Sequence, residues 1–265
     1  MPATDPGATG PSDPADLLAS MQPARRSSGA GPARSAQPAA SAPELVLEDL
    51  DAVTDLERYA TRARTMADTG MRLQVAGTVL AAWVSVLQPR GLGDRVPVAL
   101  GLRTFRLDRA GADGWDEVYP LTSVLERLAR MASTARTTLS LPPVTEDAPW
   151  TAVTPPRSGW SPVATVADDE LQQVAQDGIR ELGAALPQDP GASMVAQARA
   201  AVWGRLLGGT SVEAGDGFLP AGAAFAAHGL GFLTPGGTTA VHTSGPWVRL
   251  SSPAGFVLCR PPMAL

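Results

Sequence analysis

The chain has no lysine at all; its 21 basic residues are all arginine. A P-loop phosphate site is therefore excluded, because that site needs a lysine to reach the β- and γ-phosphates. With the abundance of Ala, Gly and Pro, the missing lysine fits GC-rich codon usage, as in a high-GC bacterium. Cysteine occurs once, as Cys259. An intramolecular disulfide is ruled out, and a reducing compartment is expected. Histidine occurs twice, as His228 and His242, with no spacing that would place either beside Cys259 in a metal site. No G-x-S-x-G nucleophile elbow is present. His242 stands two residues from Ser244 in a strand-like segment, with no acid nearby to orient it.

Long apolar runs are missing too. No stretch approaches the ~18 residues a membrane-spanning helix needs. Arg25-Arg26 is followed by Ser, Gly, Ala and Pro, so neither a signal peptide nor a twin-arginine signal is expected. Cytoplasmic is the resulting expectation. Net charge is −5, and no segment is basic: arginines and acids number 3 and 3 over 1–43, 13 and 15 over 44–159, and 5 and 8 over 160–265. Nucleic acid held by non-specific phosphate attraction is disfavoured.

What the chain does have is 44% hydrophobic residues, enough for a core, with 27 Gly and 25 Pro that assign much of it to loops and linkers. Residues 1–43 are Pro, Ala, Ser and Gly with few large apolar side chains, and are expected to be a disordered tail. One island, Asp13–Met21, places Leu17, Leu18 and Met21 at one-turn spacing behind an Asp-Pro helix start. It is a candidate docking peptide.

The densest apolar stretch is Met71–Leu107. A single strand from Arg72 to Leu87 would be too long, so a hairpin break is placed at Ala76-Gly77. The strand after it is apolar on both parities (Val79, Leu80, Trp83, Val84, Val86), the pattern of a central strand covered on both faces. The third strand alternates Val96, Val98, Leu100, Leu102 and then switches to Phe105 and Leu107, which predicts a bulge near Leu102-Arg103. Arg90, Arg95, Arg103, Arg106 and Arg109 lie on and beside this strand. They are candidates for contact with an anion or an acidic partner, or for a solvated edge that resists aggregation.

Helices flank the meander. Thr54-Asp55-Leu56-Glu57 matches a capping box and starts a helix over 54–67. Leu121, Val124, Leu125, Leu128 and Met131 form one helical stripe. Short strands are read at 44–47 and 138–141. Residues 142–164 hold six prolines with Trp150 and Trp160, and read as an ordered extended strap without regular structure. Asp168, Asp189-Pro190 and Pro220 then open three helices, the last nearly all apolar, before a hairpin built on Trp247–Ser251 and Phe256–Cys259.

The expected fold is α+β. A disordered tail (1–43) precedes a small antiparallel β-meander packed with helices (44–141). The strap (142–164) leads to a mostly helical module ending in a β-hairpin (165–265), an element order like that of a winged helix. No cofactor, metal or catalytic residue is implied. The leading functional expectation is a non-catalytic protein–protein interaction or adaptor protein with an unidentified protein partner. The alternatives are a winged-helix-like DNA-binding regulator and an enzyme with an unrecognised site. A recognition helix at 220–232 would present only His228 to base edges.

Overall fold

The computed structural model describes residues 43–67, 69–91, 93–207 and 219–262. The candidate island Leu17, Leu18 and Met21 lies outside them. Strand β1 (Glu44–Val46) leads into α1 (Leu50–Met66), followed by β2 (Met71–Ala76), β3 (Val79–Leu87), β4 (Val98–Arg106) and β5 (Asp116–Tyr119). Helix α2 (Leu121–Ser133) and β6 (Thr138–Ser140) follow. The second half runs β7 (Ser161–Ala167), α3 (Asp168–Ala185), α4 (Ala192–Trp203), α5 (Ala221–Leu230), β8 (Thr238–Ser244), β9 (Trp247–Ser252) and β10 (Gly255–Arg260). The α+β class holds.

The meander and the closing hairpin belong to one sheet. Its strand order is β5-β2-β3-β4-β10-β9-β8-β7, with every neighbour antiparallel. The seam between the halves is β4 on β10, with Leu100 opposite Leu258 and Gly101 opposite Val257. Strands β7 and β8, which the sequence reading lacks, form the far end. They hold Thr, Ala and Ser beside a few valines and are only partly buried, so neither carries a strong apolar alternation. β1 and β6 make a separate two-stranded ladder.

The Ala76-Gly77 turn forms as expected, with Gly77 at φ +57° and its amide donating to Asp113 Oδ1 at 2.8 Å. β3 is buried along its whole length. One face, through Leu80, Ala82 and Val84, joins a core that includes residues of all five described helices. The other face, through Val79, Ala81 and Trp83, joins a second cluster with Leu100, Leu102, Trp150, Trp247 and Phe256. This second face is covered by the strap. Trp150 is tied down by its Nε1 donating to Thr69 O at 3.0 Å. The strap also contains regular structure, a 3-10 turn at Pro149–Ala152 and the start of β7 at Ser161.

Five further expectations are corrected. The parity change in β4 is no bulge: Leu100 and Leu102 point to the tryptophan cluster while Ala99 and Phe105 point to the helices, and both faces are covered. The irregularity lies in β3, between Ser85 and Leu87. β4 is not an edge strand, because β10 pairs along the side that the sequence left open. α1 begins a turn early, because the Asp49 carboxylate accepts from Ala52 N at 2.7 Å and the added turn buries Val53. Asp168 is the first residue of α3 rather than its cap, and α4 starts at Ala192, after the Asp189-Pro190 pair.

Helix α5 is the most buried of the described helices; seven of its ten residues are inaccessible, and Gly231 ends it in the left-handed conformation at φ +73°. Its glycines permit close approach. A Cβ on Gly222 would meet Leu87, and one on Gly229 would meet Met66. A helix enclosed by the sheet, α1, α3 and α4 has no free face for a DNA groove. The three helices are followed by β8 before the expected hairpin of β9 and β10, and the helix in the recognition position is core.

Candidate functional site

The five arginines singled out from sequence separate into two groups. Arg103 Nη2 contacts Asp55 Oδ2 of α1 at 2.6 Å, and Arg106 Nη1 lies 3.9 Å from Glu48 Oε1. Asp55 also receives Arg58 at 2.9 Å. Arg103–Asp55 fastens α1 to β4, and Arg106–Glu48 ties β4 to the turn before α1; at such a half-exposed surface pairs contribute little, of order 0–1 kcal/mol. Arg109 is exposed beyond the end of β4. Arg90 and Arg95 lie at the other end of β4, in the loop that precedes it. A strand of this length rises roughly 3.3 Å per residue, so its two ends cannot serve one small ligand.

The Arg90 end borders an open groove of about 280 Å³ on the strap side of the sheet. Three segments far apart in sequence build it. Pro89 and Val98 flank the loop between β3 and β4, Trp150 and Val153 come from the strap, and Arg260 and Pro262 continue from β10. Prolines have a fixed φ and no amide donor, so these walls are stiff and apolar. Val98, Val153 and Ala148 pack on the tryptophan cluster behind them. The neighbouring crevice bounded by Arg72, Trp83 and Pro155 is too narrow to admit water. The groove is therefore the place where the strap stops short of sealing the sheet.

Two charged side chains, Asp94 and Arg260, line it. Arg260 lines the groove, with its guanidinium 5.8 Å from the ring centre of Trp247. Arg199 of α4 is half-buried; burial lowers its pKa first, the neighbouring Arg90 lowers it further, and Asp94 opposes both. Asp94 shapes the loop, accepting from Arg90 N and Val96 N, each at 3.0 Å. Arg199, about a hundred residues from Arg90 in sequence, was not singled out beforehand, and no local pattern marks it.

The remaining candidates are structural. Cys259 is fully buried, and burial pushes its thiol pKa up. His242 Nδ1 lies 3.3 Å from Ser251 Oγ, a residue on the next strand rather than the Ser244 suggested by adjacency. Arg249 Nε donates to that same Ser251 Oγ at 3.0 Å. Among the described residues no group of three or more His, Cys, Asp or Glu is placed to hold a metal ion, and no helix is long and apolar enough to cross a membrane.

Residues 40–152 match a family described as domain of unknown function DUF8010, and residues 155–264 match a domain of unknown function, DUF8185. No curated protein matches the chain. Among solved structures, the fold is similar to the DNA polymerase III subunit beta of Pseudomonas aeruginosa, with 13% identity and a TM-score of 0.47 over 84% of this chain and 65% of that one. The sliding clamps of Caulobacter crescentus (12% identity, TM-score 0.48, 84% and 66%) and Bacillus subtilis (12%, 0.43, 88% and 67%) are similar in the same way. The chain thus spans less than two-thirds of the length of the Pseudomonas protein.

Proposed function

We propose that this is a non-catalytic, cytoplasmic protein–protein interaction or adaptor protein, and that its partner seats a segment in the proline-walled groove. The observation that carries this reading is the groove's build: an open, apolar trough whose walls are fixed by proline, by Trp150 and by the sheet beneath. At about 280 Å³ it falls just below the range of ~300–1,000 Å³ typical of pockets that enclose a small molecule. That volume suits one or two large side chains of a protein segment. Rigid walls reduce the ordering entropy lost on binding. In this reading the modules 44–141 and 165–265 act as one platform, and the strap between them, 142–164, forms one lip of the site.

The test is capture of partners by immobilised protein. Val153→Gln places a neutral polar group in the trough, and Val98→Gln does so from the opposite wall. Both variants are expected to lose the partners held by the wild type while keeping its melting temperature within a few degrees. A chain starting at Ser41 is expected to keep the same partners. If the partners instead vanish with that truncation and survive both valine changes, the interaction belongs to the Leu17–Met21 region and the groove reading fails.

A further inference from the structure

We infer that the groove also seats this chain's own Leu17–Met21 segment, which competes there with a partner. This rests on the groove being a docking site and names its resident occupant. The segment lies outside the described residues, but the point where the described chain begins bounds what it can reach. Glu44 pairs with Ser140 in the β1–β6 ladder, and nine residues further on Pro149 lines the groove. Nine residues span at most ~32 Å, and crossing the ladder adds ~5 Å. The chain therefore enters the described fold within about 40 Å of the trough. Met21 precedes Glu44 by 23 residues, a connection that extends to ~80 Å. The segment reaches the groove with length to spare.

Its chemistry suits the trough. Apart from Met1, the large apolar residues of 1–42 are Leu17, Leu18 and Met21. The trough, lined by Pro89, Val98, Val153 and Pro262, takes such side chains by burial alone. The groove's two charged side chains, Asp94 and Arg260, are of opposite sign, and Leu-Leu-Ala-Ser-Met carries no charge. Tethering supplies the rest. A coil of 23 residues has a root-mean-square span of about 26 Å, comparable with the distance to be crossed. Its effective concentration at the groove is then on the order of 1 mM. A contact with a dissociation constant near 1 mM would be about half occupied at that concentration, so a few buried side chains suffice. A partner must displace the segment, and its apparent affinity falls accordingly.

A spin label on Ser20→Cys in the full chain tests this, because the native Cys259 is buried and leaves the new thiol as the reactive one. Paramagnetic broadening is expected at the amides of Gly91, Gly93 and Trp150. It should fall severalfold in Leu17→Ser/Leu18→Ser and in Val153→Gln. A fluorescent peptide of residues 13–22 is expected to bind the Leu17→Ser/Leu18→Ser chain severalfold tighter than the wild type, whose groove is occupied. Broadening that is absent, or that survives Leu17→Ser/Leu18→Ser, overturns the inference. Broadening that vanishes when the spin-labelled, isotope-labelled chain is diluted with plain chain assigns the segment to a second copy and overturns it as well. Peptide binding equal in the two chains, yet abolished by Val153→Gln, removes the resident segment and leaves the groove as a docking site. The groove reading fails separately, by partner capture that is indifferent to Val153→Gln and Val98→Gln.

Discussion

The guanidinium of Arg249, on β9, lies 4.6 Å from the ring centre of Trp160, the last strap residue before β7. A second ring, Phe256 of the adjacent β10, is 5.4 Å away on the sheet. Arg249 is only 5% exposed, and Trp160 is itself fixed by its Nε1 donating to Pro156 O at 3.0 Å. A buried cation thus joins the strap to the sheet.

From this contact a rank order follows. Arg249→Lys keeps the desolvated charge but loses the planar group that lies against the rings, and should cost about 2 kcal/mol or more. Arg249→Met removes the charge, fills similar volume and should cost less, about 1 kcal/mol. Urea unfolding of the two variants gives the comparison. The reverse order would mean that the charge matters more than the shape.

The seam between the halves makes the second prediction. Gly101 of β4 faces the helices, and an added Cβ would collide with Leu230 of α5 and crowd Tyr59 and Val84 at 3.1 Å. Gly101→Ala should destabilise by about 1–3 kcal/mol through overpacking. In the background of Leu230→Ala, which vacates that space, the same change should cost much less. A double-mutant cycle showing simple additivity would place the strain elsewhere.

The third concerns the Asp168 carboxylate, which is buried and holds the chain after α5. It accepts from Thr239 Oγ1 at 2.6 Å and Thr234 N at 2.8 Å, while Asp168 N donates to Gly237 O at 3.0 Å. Asp168→Ala leaves a buried amide and hydroxyl without their acceptor, at a cost of about 3 kcal/mol. Asp168→Asn keeps one acceptor oxygen and should cost about half as much. The loss should also appear as faster amide exchange at Thr234, which a purely global destabilisation would not single out.

Parts of this fold were legible because periodicity is strong where both faces of an element are decided by burial. The α2 stripe and the two-faced β3 are of that kind. The start of α1 was misread because two residues could cap it. Asp49 prevails over Thr54, whose hydroxyl bonds back to Leu50 O at 3.0 Å inside the helix. Strand β4 was misplaced at an edge because its true neighbour, β10, lies some 150 residues away. The arginines were grouped by sequence distance, and the strand they ride on carries Arg90 and Arg103 to opposite ends. The groove left one trace in the sequence, the density of Pro and Trp in the strap. Pro261 and Pro262 repeat that chemistry beyond β10 without any spacing that ties them to it.

Alkaline stability gives the last prediction. Burial raises the pKa of the Tyr59 hydroxyl well above its ordinary range, Arg103 opposing in part, and burial alone raises the Cys259 thiol. Both groups are neutral when protonated, and the folded state holds their protons longer than the unfolded chain does. Their stabilisation is therefore complete below the unfolded values, about 8.5 for cysteine and 10 for tyrosine. It declines as pH rises towards the raised folded values, by up to about 1.4 kcal/mol per pH unit for each group. Thermal unfolding between neutral pH and pH 11 should show stability falling from about pH 8.5 and more steeply beyond about 10. Cys259→Ala costs stability at every pH by loss of packing, yet it should move the onset of the fall up to the tyrosine range. An unchanged onset in that variant would exclude the thiol as the group that titrates first.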